Sequence, residues 1–161
     1  MQFEELRFVC QEAADDLVRS RGRPLPPTVV LPGPQRTRLV TLPELPRADE
    51  ARHAVLAQLA EDLITAEAIP CWGFVAEAEI DGGDAAVVVY GARRHAPHVT
   101  ASRFTEEGGL AGFVAEEELD PTALPFLHPL QHAVDALPGV GDVFATFDPK
   151  RGPEGGLPVV P

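Results

Sequence analysis

Residues 72–94 read WGFVAEAEIDGGDAAVVVYGARR, and this stretch decides the fold class of the chain. Two alternating, largely apolar segments flank the polar residues 81–84, and this combination predicts a β-hairpin. If all four polar residues form the turn, Ile80 lies opposite Ala85 and the two arms pair outward from there. A hairpin of this length indicates a sheet in which antiparallel pairing dominates.

The two faces of the hairpin differ in character because successive side chains of a strand point to opposite sides. One face is wholly apolar and is expected to pack against helices. The other combines Val75 and Tyr90 with Glu77 and Glu79, which is too apolar for full solvation and too charged for a core. We expect the C-terminal segment or a second copy of the chain to cover this second face.

The remaining elements follow from hydrophobic periodicity and from the placement of proline and glycine. Apolar residues recur at steps of three and four in residues 3–21 and 49–68, which predicts two helices, with Asp49 as the N-cap of the second. The predicted strands beyond the hairpin are residues 28–31, 37–42 and 99–104, the last following a turn at Ala96 and Pro97. Residues 130–137 fit a short helix, and residues 143–147 fit a late strand or a docking segment.

These elements predict one α+β domain over residues 1–147, followed by a flexible tail rich in proline and glycine over residues 148–161. We expect a mainly antiparallel sheet of about five strands, with two helices on one face and an irregular, proline-rich C-terminal segment. A chain of 161 residues is long enough to bury a real core without disulfides or metals.

The charge balance excludes some classes of partner. The chain has 25 acidic and 13 basic residues, a formal net charge of −12, so it repels phosphate backbones and anionic membranes. We therefore expect no nucleic-acid partner and no membrane partner. Lys150 is the only lysine, and the abundance of arginine, alanine and proline is typical of a GC-rich bacterial genome.

The cysteines and the absence of long apolar runs suggest where the protein resides. Cys10 and Cys71 are far apart in sequence and lack CxxC spacing, which favours two buried free thiols over a disulfide. No run of about 18 apolar residues and no secretory leader is present in the sequence. These features predict a cytoplasmic protein.

Four histidines are the candidate metal ligands. His128 and His132 are four residues apart and share a helix face, and His95 and His98 flank a predicted turn, so three imidazoles could hold a zinc ion. The glutamate of an HExxH motif is missing, and Pro129 follows His128 directly. The sequence therefore favours structural or surface histidines, with no metal and no cofactor.

Charged side chains of the hairpin are candidates for acid/base or interaction roles. Glu77 and Glu79 share a strand face with Arg94 and Arg103 nearby, and two close carboxylates can serve as acid and base. The same pattern arises in any alternating strand, so ion pairs within the protein or with a partner are favoured. The candidate interaction face comprises Glu77, Glu79, Tyr90, Arg93 and Arg94.

Nucleophilic catalysis and nucleotide binding have no sequence support. No GxSxG elbow, phosphate-binding loop or dinucleotide fingerprint is present. We therefore expect a non-enzymatic interaction or regulatory module that binds a protein partner or forms a homodimer. The alternative is a small metal-dependent or acid/base enzyme whose working groups are His95, His98, His128 and His132, or the pair Glu77 and Glu79.

Overall fold

The computed structural model describes residues 2–138, which form three α-helices and seven β-strands. The helices are α1 (Phe3–Arg21), α2 (Asp49–Leu59) and α3 (His128–Ala136). The strands are β1 (Thr28–Pro32), β2 (Thr37–Thr41), β3 (Cys71–Ile80), β4 (Gly83–Ala92), β5 (His95–Phe104), β6 (Leu110–Phe113) and β7 (Glu117–Glu118). The strand or docking segment predicted for residues 143–147 and the tail predicted for 148–161 lie outside the described residues.

All strand pairs described are antiparallel, in the order β2-β1-β3-β4-β5-β6, with β7 pairing with the other end of β5. The α+β class and the antiparallel sheet are confirmed, whereas the expected number of about five strands was too low. The added strands β6 and β7 have four and two residues, too short to show a clear alternation.

The long hairpin β3–β4 is the centre of the sheet, but its register differs from the expected one. Ile80 pairs with Gly83, so the turn contains only Asp81 and Gly82, both with positive φ. A two-residue turn of this kind matches the twist of the flanking strands. Each residue pairs two positions away from the predicted partner, and a shift of two leaves the side chains on the predicted faces.

Helices cover both faces of the sheet, which corrects the prediction that two helices share one face. On one face α2, α3 and a π-helical stretch (Ala60–Thr65) pack over Trp72, Phe74 and Val89. On the other face α1 packs over Val75 and Tyr90. The domain is thus a sheet between two helical layers.

Within residues 2–138, α1 covers the second face at Val75 and Tyr90, where the C-terminal segment or a second copy was expected. Val75, Val88 and Tyr90 are fully buried beneath the apolar stripe of α1. Buried residues of that stripe are Leu6, Cys10, Ala13, Ala14, Leu17 and Val18. Burial of each large side chain contributes about 1.5–3 kcal/mol, so the contact is strongly favoured within one chain.

Helix predictions from periodicity agree well with the structure. Helix α1 has the expected bounds, and the segment predicted as the second helix is α2 continued by the π-helical stretch. The N-cap of α2 is Ala48, whose side chain makes no cap, so the prediction for Asp49 was wrong by one residue.

The turn before β5 consists of residues 93–94 and not of Ala96 and Pro97, which belong to the strand.

Candidate functional site

A cleft of about 460 Å³ runs between α3, the turn that joins β4 to β5, and the segment after β7. We call it the α3 cleft. Its apolar lining comes from Ala96, Pro97, Leu119 and Pro121. Its polar lining comes from Arg94, His95, Glu118, Asp120, His128, Gln131, His132 and Asp135. A size of this order is typical of ligand-binding clefts.

The position of α3 is fixed by Gln131, which contacts the sheet directly. Its side-chain oxygen accepts a hydrogen bond from Trp72 Nε1 at 2.9 Å, and its side-chain nitrogen donates to the carbonyl oxygen of Ala92 at 2.9 Å. A Cβ at Gly91 would collide with the side-chain oxygen of Gln131 and with the rigid indole of Trp72, so glycine leaves room for this hydrogen-bonded pair. The wall of the cleft is thereby anchored to the middle of the sheet.

The opposite wall is the turn after β4, which is tied to α3. Arg94 adopts a left-handed backbone conformation, with φ of 66°, and its backbone nitrogen donates to Asp135 Oδ1 at 2.8 Å. Arg93 donates from Nε to the carbonyl oxygen of Leu137. The two arginines of the predicted interaction face thus hold the turn against the end of α3.

Three of the four candidate histidines line the α3 cleft. His95 comes from the start of β5, and His128 and His132 come from the exposed side of α3. His128 Nε2 lies 3.1 Å from the carbonyl oxygen of Pro121. Within residues 2–138, no group of three histidine, cysteine, aspartate or glutamate side chains is arranged to hold a metal ion.

The exposed side of α3 borders a second groove, of about 690 Å³, which separates it from α2 and the π-helical stretch. His128 and His132 line this groove as well, together with His53 of α2. Four of the five histidines of the chain therefore lie on or beside α3. Nothing in the sequence singles out His53, which lies at the exposed edge of the apolar stripe of α2, three residues before Leu56.

The fourth candidate, His98, belongs to a polar cluster on the face covered by α1. The carboxylate of Glu116 accepts a hydrogen bond from the Tyr90 hydroxyl, lies 3.1 Å from His98 Nδ1, and pairs with Arg7 at 2.7 Å. Phe3 packs against the rings of Tyr90, His95 and His98. Because Tyr90 is fully buried here, it is not part of an exposed interaction face.

The electrostatics of this cluster stabilise a charged Glu116. The hydrogen bond from Tyr90, followed by the contacts with His98 and Arg7, holds the pKa of Glu116 below its ordinary value. Burial, and then the nearby carboxylate of Glu116, raise the pKa of the Tyr90 hydroxyl. Glu116 is missed by the sequence analysis, since its three partners come from α1, β4 and β5.

Glu77 and Glu79 have separate environments. Glu77 accepts hydrogen bonds from Arg23 Nη2 at 2.7 Å and from the backbone nitrogen of Leu25 at 3.2 Å. The hydrogen bond from Arg23 holds the pKa of Glu77 below its ordinary value. Glu79 is exposed at the far end of β3, and Asp84 on β4 also pairs with Arg23. The expected grouping with Arg94 and Arg103 is replaced by a pairing with Arg23.

The two cysteines are free and buried, as the sequence predicts. The sulfur of Cys10 lies against Gly73, and Cys71 is on the same strand. Burial raises the pKa of Cys71 to about 11, and burial together with the neighbouring Cys71 raises the pKa of Cys10 still further. Neither thiol has the low pKa of a reactive cysteine.

No protein-family model, no curated protein and no solved structure matches this chain. Its activity must be inferred from its own geometry. In residues 2–138, no helix is long and apolar enough to cross a membrane.

The carboxylates of Glu77 and Glu116 are poorly suited to proton transfer. Glu77 and Glu116 both have lowered pKa values and are fixed by hydrogen bonds, whereas a general acid or base needs a pKa near the working pH. The α3 cleft instead offers an apolar lining with polar groups around it, on walls held by side-chain hydrogen bonds. That combination can hold a ligand in a defined orientation.

Proposed function

We propose that this chain is a non-enzymatic protein-interaction module and that the α3 cleft is its binding surface. The observation that carries the proposal is the cleft itself: an apolar lining from Ala96, Pro97 and Leu119 within walls fixed by Gln131 and Asp135. A surface that is already ordered loses little conformational entropy when a partner binds.

Two further observations support binding over catalysis. The candidate catalytic carboxylate Glu77 is engaged by Arg23 and Leu25, and Glu116 is engaged by Tyr90, His98 and Arg7. The groups that line the α3 cleft do not form a metal-binding set within residues 2–138. Both acidic groups stabilise the fold through contacts that a reacting group would have to give up.

The proposed partner is a protein, and the proposed compartment is the cytoplasm. A net charge of −12 disfavours nucleic acid and anionic membranes. Two buried free thiols are compatible with a reducing compartment. A homo-oligomer was expected because one sheet face needed a cover, and α1 supplies that cover in the described residues. A second copy of the chain is the alternative protein partner.

Peptide selection from a random display library against the full chain tests this function. The critical variant is Ala96→Arg, which places a long charged side chain at an exposed position in the cleft. The matched control is Ala78→Arg, the same change at an exposed position of β3 outside the cleft. We expect selected peptides to bind Ala96→Arg about tenfold or more weakly, because blocking an anchor pocket removes a dominant contact. Binding to Ala78→Arg should change by less than about twofold.

Two results would contradict the proposal. Selection could return no peptide that binds the wild-type chain, or the selected peptides could bind both variants as tightly as the wild type. Circular dichroism of each variant verifies that the fold is retained, so a loss of binding can be assigned to the cleft.

A further inference from the structure

The lining of the α3 cleft carries an excess of negative charge, which indicates the kind of partner that the cleft would bind. The inference about that partner rests on the binding function proposed above. The charged lining residues of the cleft are three carboxylates, from Glu118, Asp120 and Asp135, and one guanidinium, from Arg94. With the histidines neutral, the lining has a formal charge of −2 (one positive and three negative groups). The whole chain has the same sign, with a net charge of −12.

Two of these carboxylates are held in place by hydrogen bonds. Asp135 accepts from the backbone nitrogen of Arg94 at 2.8 Å and from Gln131 Nε2 at 3.1 Å. Asp120 accepts from the backbone nitrogen and the hydroxyl of Thr122, both at 2.8 Å. These contacts with Thr122 hold the pKa of Asp120 below its ordinary value, so it stays charged at neutral pH. The negative charge is therefore fixed before a ligand arrives.

The apolar part of the cleft lies among these charges. Pro97 and Leu119 are half-buried, and Ala96 and Pro121 are exposed beside them. An occupant that matches both features needs an apolar side chain for the lining and positive charges around it. Charge complementarity of this kind guides association and excludes partners of the wrong sign.

We propose that the occupant of the α3 cleft is a short segment of a partner protein in which lysine or arginine residues flank one apolar anchor. A second copy of this chain fits less well, because two bodies each carrying −12 repel one another. An acidic peptide would place its carboxylates against Glu118 and Asp120.

The test uses full-length, isotope-labelled protein and three acetylated, amidated peptides of equal length. The basic peptide GARLKRAG has an apolar anchor, GAELEEAG reverses its charge, and GARAKRAG lacks the anchor. Amide shifts in nuclear magnetic resonance spectra locate each peptide and give its Kd. We expect the basic peptide to bind at the cleft and the acidic peptide not to bind. Loss of the leucine anchor should raise Kd about fivefold or more.

Charge variants distinguish the effect of the carboxylates in the cleft from the effect of the net charge of the whole chain. Glu118→Gln with Asp120→Asn removes two charges from the cleft, and Glu79→Gln with Glu107→Gln removes two charges from exposed positions outside it. Both double variants have the same net charge. We expect the first to raise the Kd of the basic peptide about three- to tenfold, as two exposed ion pairs would. The second should change Kd less than about twofold.

The outcomes distinguish this inference from the proposed function. If acidic or uncharged peptides bind the α3 cleft at least as tightly, or if the two double variants weaken binding equally, the basic-segment inference is overturned and the binding module stands. If a second copy occupies the cleft, the inference likewise fails. If neither these peptides nor any library peptide binds the cleft, both proposals fall.

Discussion

Gln131 on α3 accepts a hydrogen bond from the indole nitrogen of Trp72 on β3, across 2.9 Å. The contact joins the last described helix to the centre of the sheet, 59 residues apart in sequence. Because Trp72 is fully buried, this glutamine is the partner that replaces water for its N–H group. The same side chain sets the wall of the α3 cleft, so fold stability and the binding surface depend on it together.

Replacing Gln131 with leucine should destabilise the fold. The Trp72 N–H would remain buried without its partner, which costs about 1–3 kcal/mol of the free energy of unfolding. Denaturant unfolding followed by tryptophan fluorescence measures this directly, since Trp72 is the only tryptophan. The matched control is Gln58→Leu, at an exposed position that contacts only Asp62 among the hydrogen bonds described. Equal stability of the two variants would rule out a special role for Gln131.

Gly73 on β3 allows α1 to pack closely on the sheet. A methyl group added at position 73 should push α1 away from β3. A Cβ at position 73 would collide with the sulfur of Cys10, which predicts a loss of about 1–3 kcal/mol for Gly73→Ala. The double variant with Cys10→Ala should recover part of that loss, because the Cys10 Cβ lies at 3.5 Å from the added atom. A double-mutant cycle by urea unfolding measures the coupling. Strictly additive losses would contradict the collision.

Glu116 should make the fold sensitive to acid. Its pKa in the folded state lies below its ordinary value of 4.5, so the folded state binds fewer protons than the unfolded state in that range. The stabilisation is therefore complete above about pH 4.5 and is lost as the pH falls through the folded value. We expect Glu116→Gln to cost about 1–2 kcal/mol at neutral pH, toward the lower end of the range for hydrogen bonds to charged groups because the Glu116 side chain is partly exposed.

The measurement for Glu116 is the free energy of unfolding of wild type and variant from about pH 6 to pH 2. The difference between the two should shrink on the acid side. Glu117→Gln, at the adjacent exposed position of β7, is the control and should leave the profile unchanged. If the difference in unfolding free energy between wild type and Glu116→Gln stays constant with pH, the charged form of Glu116 is not the source of the stabilisation.

The thiols should be inert in the folded protein. Both are buried and both have raised pKa values, that of Cys71 being about 11. Thiolate is the reactive form, so an aromatic disulfide reagent at pH 8 should titrate two thiols per chain in denaturant and almost none in native buffer over the same time. Rapid reaction of one equivalent in native buffer would show that α1 opens readily.

Zinc should not be retained by the purified chain. No three ligands converge within residues 2–138, although His128 and His132 share a helix face. Native mass spectrometry should give the mass of the chain without metal, and the variant His128→Ala with His132→Ala should behave identically. A stoichiometric metal adduct lost in that variant would favour the metal-dependent enzyme.

Local features of the sequence predicted most of the elements. Helix α1 was predicted with its observed bounds, because an apolar stripe with steps of three and four depends only on local spacing. The faces of β3 and β4 were also correct despite the wrong turn length, since a register shift of two conserves the side of each residue.

The candidate site was predicted only in fragments. His128 and His132 were paired correctly, because residues four apart on a helix are neighbours. The sequence did not predict that His95 lines the same cleft as these two histidines, or that His98 lies apart from all three. His98 contacts Glu116 from the segment after β6, and no local pattern relates those positions.

The sequence by itself determined the class of the fold, most of the elements and the strongly acidic character of the chain, since each depends on composition or on spacing between near neighbours. Only the tertiary structure decided that α1 covers one sheet face while α2 and α3 cover the other, and that α3 forms a cleft with the turn after β4. These outcomes depend on contacts between distant residues, such as Gln131 with Trp72 and Cys10 with Gly73. Such contacts are selected by shape and burial in three dimensions.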